Sequence, residues 1–283
     1  MKKVLCTFGN KLISKGFPRF RQEAEALEVF DEIYTYTEDD LSKEFRKKWG
    51  KYMYPYSKGY GYWAWKPFLI KETLNKMDDG DVLLYADLGC FFNTKGKAHL
   101  SEYYAIVENS ASGMLGFRSH EVNYNGMDEC LRYEYEWTKG DILDYFGVRN
   151  DPYYTQTTQF EATVIFIKKN NISMAFVNEW TKVVDVDFDL ITDKPSRTPN
   201  LKGFTENRHD QSIFSILAKK YKIEAVSTNE LFPCDPDYDW SLLNDYPILA
   251  RRAIYYKSTR HYNHRFKLRK WYSILWKLKY IFR

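Results

Sequence analysis

The chain has 283 residues, 44% of them hydrophobic and 28% charged, enough apolar material for the core of one large domain. Its four cysteines, Cys6, Cys90, Cys130 and Cys234, are spaced too widely for a metal knuckle or a CxxC redox pair, so buried reduced thiols are expected. The formal net charge of +4 hides an asymmetry: residues 251–283 hold eleven Lys or Arg and no Asp or Glu, whereas residues 1–250 hold 31 basic against 38 acidic side chains.

In chain order, "KKVLCTFG" reads as a buried strand that starts within three residues of the N-terminus, with no secretory-type apolar run before it. No segment approaches the roughly 18 apolar residues of a membrane span. The expected location is therefore cytoplasmic. "PRFRQEAEALEVF" has apolar positions at helical spacing behind a proline, and "DEIYTYT" is a second strand. A polar, aromatic stretch reaches to about residue 65. "KPFLIKETLNKM" is the next helix, with Pro67 near its first turn. The "DDGD" turn leads into the strand "VLLYAD". Further on, "ASGMLGF", "FEATVIFIKKN" and "KIEAVST" read as strands, and "KGDILDYFGV", "SMAFVNEWTKVV" and "DQSIFSILAKKY" as helices. This alternation predicts an α/β fold with a mostly parallel central sheet covered by helices on both faces.

In such sheets ligands gather at the carboxyl ends of the strands, and Asp87 closes one of them. It either meets a ligand at that rim or caps the turn that follows. Asp210 and Gln211 stand at the start of a helix whose Ile213, Phe214, Ile216 and Leu217 would face the sheet, with His209 just before it. N-capping by Asp210 and a solvated His209 are the plain alternatives there. Lys66 opens a helix, where an anionic phosphate is favoured, while Trp63 and Trp65 offer flat faces beside Gly59 and Gly61. A solvated lysine and two core tryptophans are the competing reading. Glu161 interrupts an apolar strand, so it either lines a site or is a buried carboxylate paired to an arginine. Arg19 and Arg21 read as surface residues, with a phosphate contact as the alternative. The tyrosine-rich segment 109–158 suits a saccharide, which needs hydrogen bonds and a stacking face.

Four blocks, "GYGYWAWKPFLIKETL", "GDVLLYADLGC", "FEATVIFIKKN" and "ENRHDQSIFSIL", taken in that order and spacing over roughly residues 3 to 235, resemble a group of bacterial glycosyltransferases of surface polysaccharide assembly, covering capsule and lipopolysaccharide O-antigen, with the GT-A type of nucleotide-sugar-binding fold. The resemblance implies a nucleotide-sugar donor, a hydroxyl of a glycan or lipid-linked glycan as acceptor, and a hexosyl group in transit. Stereochemistry, retaining or inverting, is not legible. The group usually carries an Asp-x-Asp motif whose carboxylates hold Mn²⁺ or Mg²⁺ on the donor diphosphate. Here the motif is Asp87-Leu88-Gly89, one carboxylate short. By the resemblance, Asp87, Gly89, Trp63, Lys66 and Gln211 are donor-binding candidates. Asp210 is the first candidate for the base that deprotonates the acceptor, with Glu161 as the other catalytic candidate, and Asp87 and His209 are the candidate ligands of a divalent cation. The competing reading keeps the fold without the chemistry: a non-catalytic nucleotide-sugar or glycan-binding protein.

Residues 1–250 are expected to form the catalytic domain and residues 251–283 a basic, aromatic tail. On a helical projection Leu268, Trp271, Tyr272, Leu275, Leu278 and Phe282 share a side opposite Arg269, Lys270, Ser273 and Lys277, with Lys279 breaking the apolar side. That pattern suits a helix lying on an anionic membrane surface, peripheral on the inner face of the cell membrane. Nucleic acid is the rival partner for such a tail, and the acidic body argues against it, so none is expected. A helix packed on its own domain is the plain alternative.

Overall fold

The computed structural model describes residues 1–119, 131–234 and 239–254. Eight strands form among them: β1 (Lys3–Phe8), β2 (Glu32–Tyr36), β3 (Val82–Ala86), β4 (Phe91–Phe92), β5 (Met114–Arg118), β6 (Phe160–Lys168), β7 (Glu224–Val226) and β8 (Ile248–Leu249). Six build one sheet in the order β2-β1-β3-β6-β5-β7, and β4 pairs with β8. The pairs β1–β2, β1–β3 and β5–β7 are parallel, while β6 runs antiparallel to both β3 and β5. The sheet is thus mostly parallel, as predicted, with one reversed strand that the hydrophobic pattern did not reveal.

Alternation along the strands divides the core in two. Val4, Cys6 and Phe8 of β1, Leu83 and Tyr85 of β3, and Ile165 and Ile167 of β6 face one side, where the helices Trp65–Asn75, Asn171–Val186 and Asp210–Lys220 pack. Leu5, Val82, Leu84, Ala86, Val164 and Phe166 face the other, under the helices Phe17–Ala26 and Lys97–Asn109. Each fully buried Leu, Val or Phe stabilises the fold by about 1.5–3 kcal/mol relative to exposure. Because both faces are covered, the central strands read as continuous apolar runs.

Several local signals explain where the elements begin. Pro67 lies in the first turn of its helix, where a missing N–H costs nothing. Asn170 caps the Asn171–Val186 helix, accepting from the Ser173 amide at 2.8 Å. The sequence reading does not include several elements, among them the helices Lys43–Trp49 and Lys97–Asn109 and the short strands β4 and β8. The cysteine expectation needs correction: Cys6 and Cys90 are buried free thiols, but Cys234 is disulfide-bonded. The expected basic tail lies outside the described residues from position 255 on. No helix among the described residues is long and apolar enough to cross a membrane.

A buried polar knot ties the outer half of the sheet to the Asp210–Lys220 helix. Glu134 and Lys219 pair at 2.6 Å with both side chains fully sealed. Ser215 donates to Glu134 Oε2 at 2.6 Å, and Thr138 and Gln159 donate to Oε1 at 2.5 and 2.8 Å. Lys219 also donates to the Tyr154 carbonyl at 2.9 Å. Burial pulls the Lys219 pKa down, and the Glu134 charge opposes that pull. Removing one member strands the other charge in hydrocarbon. Lys219→Met is therefore expected to destabilise the protein by about 3–5 kcal/mol in denaturant unfolding, and the Glu134→Leu/Lys219→Met double variant to recover part of that loss. Additive losses in the double-mutant cycle would contradict this account.

Candidate active site

Strand β3 is buried throughout, and its direction delivers Asp87 to the carboxyl rim of the sheet. The Asp87 amide donates to the Thr163 carbonyl of β6 at 2.9 Å, and Cys90 N donates to Asp87 O at 2.8 Å, so residues 87–90 form a tight turn. Arg19 secures that turn from beneath. Its guanidinium donates to the carbonyls of Leu88 and Cys90 at 2.7 and 2.6 Å, pairs with Glu23 at 2.9 Å and stacks over Phe91. Arg19 is thus neither a surface residue nor a phosphate ligand. Arg21 donates to the Ile33 carbonyl at 3.0 Å.

The Asp87 carboxylate does not cap its turn. Tyr85 Oη donates to Oδ1 at 2.5 Å, and Lys66 Nζ stands 3.6 Å from the same oxygen. The ammonium also lies 2.9 Å from Asp210 Oδ2 and donates to the Ala162 carbonyl of β6 at 2.8 Å. Lys66 is therefore not the free cation that its place at a helix opening suggested: it is buried and committed to two carboxylates and a carbonyl. Their charges raise its pKa against the opposing pull of burial. Asp87 is the solvent side of this group, with 31% of its side chain exposed against 4% for Asp210.

Asp210 is the first residue of its helix, and burial pushes its pKa up to about 6 against the opposing charge of Lys66. Asp210 Oδ2 is buried and faces the Lys66 ammonium at 2.9 Å. Gln211 next to it accepts from the Ala162 amide at 3.4 Å and donates to Gln159 Oε1 at 3.1 Å. Glu161 is buried and paired to Arg132, the plainer of its two sequence readings.

His209 is not solvated: it is buried, with Nδ1 2.7 Å from the Ile191 carbonyl and Nε2 3.6 Å from Asp193, which pairs with Lys58. Burial chiefly, and the Lys58 charge, hold its pKa down to about 4, so the ring is neutral near pH 7. Its backbone has φ 60° and ψ −123°, a strained conformation for a residue with a side chain. The rings of Tyr62 and Trp63 pack on it at 5.3 and 5.7 Å. Those residues belong to an uninterrupted left-handed run, with φ of 56° at Gly59, 50° at Tyr60, 90° at Gly61, 58° at Tyr62 and 57° at Trp63. Trp65, by contrast, is a core residue stacked on Phe8 at 4.0 Å.

A divalent cation does not fit this donor set. Both carboxylates already share the Lys66 ammonium, and His209 directs its second nitrogen to Asp193. No three His, Cys, Asp or Glu side chains gather as a metal-holding group among the described residues. Gly89 admits a close approach, but what approaches is this chain: a Cβ there would lie 3.0 Å from the Arg252 Cα.

Two outcomes follow. The folded Asp210 pKa lies above its unfolded value, so its contribution to stability is complete below about pH 3.8 and is lost as pH rises through about 6, on the order of 3 kcal/mol in all. Urea titrations from pH 4 to 7.5 should show this decline in the wild type and its absence in Asp210→Asn. At Gly59 a Cβ would meet the Trp63 ring at 2.2 Å in a left-handed backbone. Gly59→Ala is expected to cost about 2–4 kcal/mol and to shift the Trp63 fluorescence, and a neutral substitution would refute the left-handed run.

No protein-family model matches the chain, and comparison with curated protein sequences finds no match. Among solved structures it is similar to a glycosyltransferase involved in the glycosylation of the major capsid of the virus PBCV-1, at 8% identity over 95% of this chain and 100% of that one, with a TM-score of 0.47. It is similar to mouse xyloside xylosyltransferase 1, at 11% identity over 88% and 97% of the two chains, with a TM-score of 0.44. A third similarity is to the galactosyltransferase LgtC, solved with donor and acceptor sugar analogs, at 10% identity over 87% and 86%, with a TM-score of 0.42. At these identities and scores the likeness by itself lends neither reaction nor substrate to this chain.

Proposed function

We propose that the chain is a glycosyltransferase of the GT-A type, moving a sugar from a nucleotide-sugar donor to a hydroxyl of a glycan acceptor. The supporting observation is that two carboxylates far apart in the chain, Asp87 at the end of β3 and Asp210 at the start of a helix, meet on the ammonium of Lys66 at the carboxyl rim of the sheet. Asp87, the exposed member, receives hydroxyls of the donor. Lys66 holds the two carboxylates in place at the rim.

In the reaction the bond between the anomeric carbon and the phosphate oxygen breaks, a bond from that carbon to the acceptor oxygen forms, and the hydroxyl proton is taken up by a carboxylate. Asp210 is the proposed acceptor of that proton: it stands at the rim beside Asp87, and its pKa of about 6 lies near working pH. Glu161, held by Arg132, is the weaker candidate. Gln211 and Trp63 complete the proposed donor side, and the acceptor is proposed to be a bacterial surface glycan, lipid-linked, met at the inner face of the cell membrane. A second reading, a non-catalytic nucleotide-sugar or glycan-binding protein on the same fold, draws on the near-complete burial of both candidate bases.

The deciding assay incubates the protein with a panel of nucleotide sugars and measures release of the nucleoside diphosphate, with and without Mn²⁺. Asp210→Asn is expected to lower turnover about 10²- to 10⁴-fold while donor binding persists, and Asp87→Ala to weaken donor binding itself. Donor binding with no turnover under any acceptor condition would favour the second reading.

A further inference from the structure

The cavity of about 530 Å³ beside Tyr133 and Tyr135 lies outside the Asp87–Lys66–Asp210 group. Its volume falls within the range of about 300–1,000 Å³ typical of small-ligand sites. We propose that this cavity is a saccharide subsite, holding pyranose units of the acceptor at a distance from the reacting hydroxyl; the assignment to an acceptor rests on the glycosyltransferase reading, whereas saccharide binding does not.

The walls are preorganised. The Tyr133 and Tyr135 rings stack on one another, 5.7 Å apart and 16° from parallel, and place two aromatic side chains on the wall. The backbone at Gly203, with φ +93°, closes against it, since a Cβ there would meet the Tyr135 ring at 3.0 Å. Arg149 forms a fixed wall: its guanidinium donates to both carboxylate oxygens of Asp144 at 2.5 and 2.8 Å, to the Pro199 carbonyl at 2.7 Å and to Thr198 Oγ1 at 2.9 Å. What remains for a ligand is a set of side chains that form no hydrogen bond among the described residues, the amides of Asn150 and Gln156 and the ammonium of Lys202.

That composition selects the ligand. Flat aromatic faces bordered by uncommitted amides match a pyranose, which has C–H faces and a hydroxyl edge. The lining is too polar for a hydrocarbon guest; with Arg149 already neutralised, the cavity keeps one uncommitted cation, Lys202, beside its two amides. Position supplies the link to the acceptor. The strand-like segment that carries Leu201 and Lys202 at the cavity runs along the Glu134–Trp137 helix, with Thr205 N on the Glu136 carbonyl at 2.8 Å and Arg208 N on the Trp137 carbonyl at 3.1 Å, and ends at Asp210. From the other side, Tyr133 follows Arg132, whose partner Glu161 adjoins the Ala162 carbonyl that holds Lys66. One cavity wall and the candidate base therefore share a rigid support.

Saturation-transfer NMR on the full chain without donor, using hexose di- to tetrasaccharides as probes, tests the proposal. The expected result is transfer to sugar C–H protons, with affinity lowered about tenfold or more in Tyr135→Ala and in the surface variant Gln156→Ala, at unchanged melting temperature and nucleotide binding. Absence of binding by every saccharide, equal binding to both variants, or displacement of bound saccharide by a nucleoside diphosphate would overturn it. Failure of the glycosyltransferase reading is separate: it would show as missing turnover in the wild type while saccharide binding at the cavity persisted.

Discussion

A buried ammonium that serves two carboxylates at once is the constraint around which the site is arranged. Lys66 sits in the first turn of a helix on one face of the sheet, Asp87 at the tip of a central strand, and Asp210 at the start of a third element. None of the three charges is tolerable alone at that depth. The ammonium offsets one of the two negative charges, the other rests on the partly exposed Asp87 side, and the carbonyl of Ala162 accepts a hydrogen bond from the ammonium. The position of each charge is thereby fixed by the other two, and the only member in contact with solvent is Asp87.

This group is continuous with the polar interior of the fold. Gln211 joins Ala162 to Gln159, Gln159 reaches Glu134 and Thr138, and Glu134 closes on Lys219. The Glu134, Thr138, Gln159 and Lys219 part of this network is buried, where its groups have few alternative partners. Arg19 provides a comparable fixture on the opposite face, holding two carbonyls of the Asp87 turn, those of Leu88 and Cys90. The rim is thus braced from both layers of the core, which suits a site that must hold its geometry while a substrate comes and goes.

Much of this was legible in the sequence, and the reasons are specific. Continuous apolar runs marked β1, β3 and β6 as buried strands, Pro67 marked a helix start, and a strand ending on Asp87 pointed to the rim. The direction of β6 was not legible, because a strand buried on both faces looks the same read either way. Nor was the fate of the charges. Lys66 at a helix opening looked like a waiting cation, and only tertiary proximity shows that Asp87 and Asp210 already engage it. The surface reading of Arg19, and the choice of a cation ligand or a solvated loop residue for His209, both miss partners that are backbone carbonyls from distant segments, Leu88 and Cys90 for one and Ile191 for the other. Carbonyls leave no trace in a sequence. The expectation of four reduced thiols failed at Cys234 for a related reason: spacing says nothing about which side chains meet.

The coil from Gly59 to Trp63 winds in the sense opposite to every other helix of the fold. L-amino acids with side chains resist that winding by roughly 1–2 kcal/mol each, and glycine does not. The chain places glycine at only two of the five positions and large aromatics at the remaining three. The contacts of Tyr60 on Phe8 and of Tyr62 and Trp63 on His209, with the Trp65 indole donating to the Gly59 carbonyl, help to offset what the reversed winding withholds. The segment is thus a place where ring identity, as well as backbone preference, shapes the path of the chain.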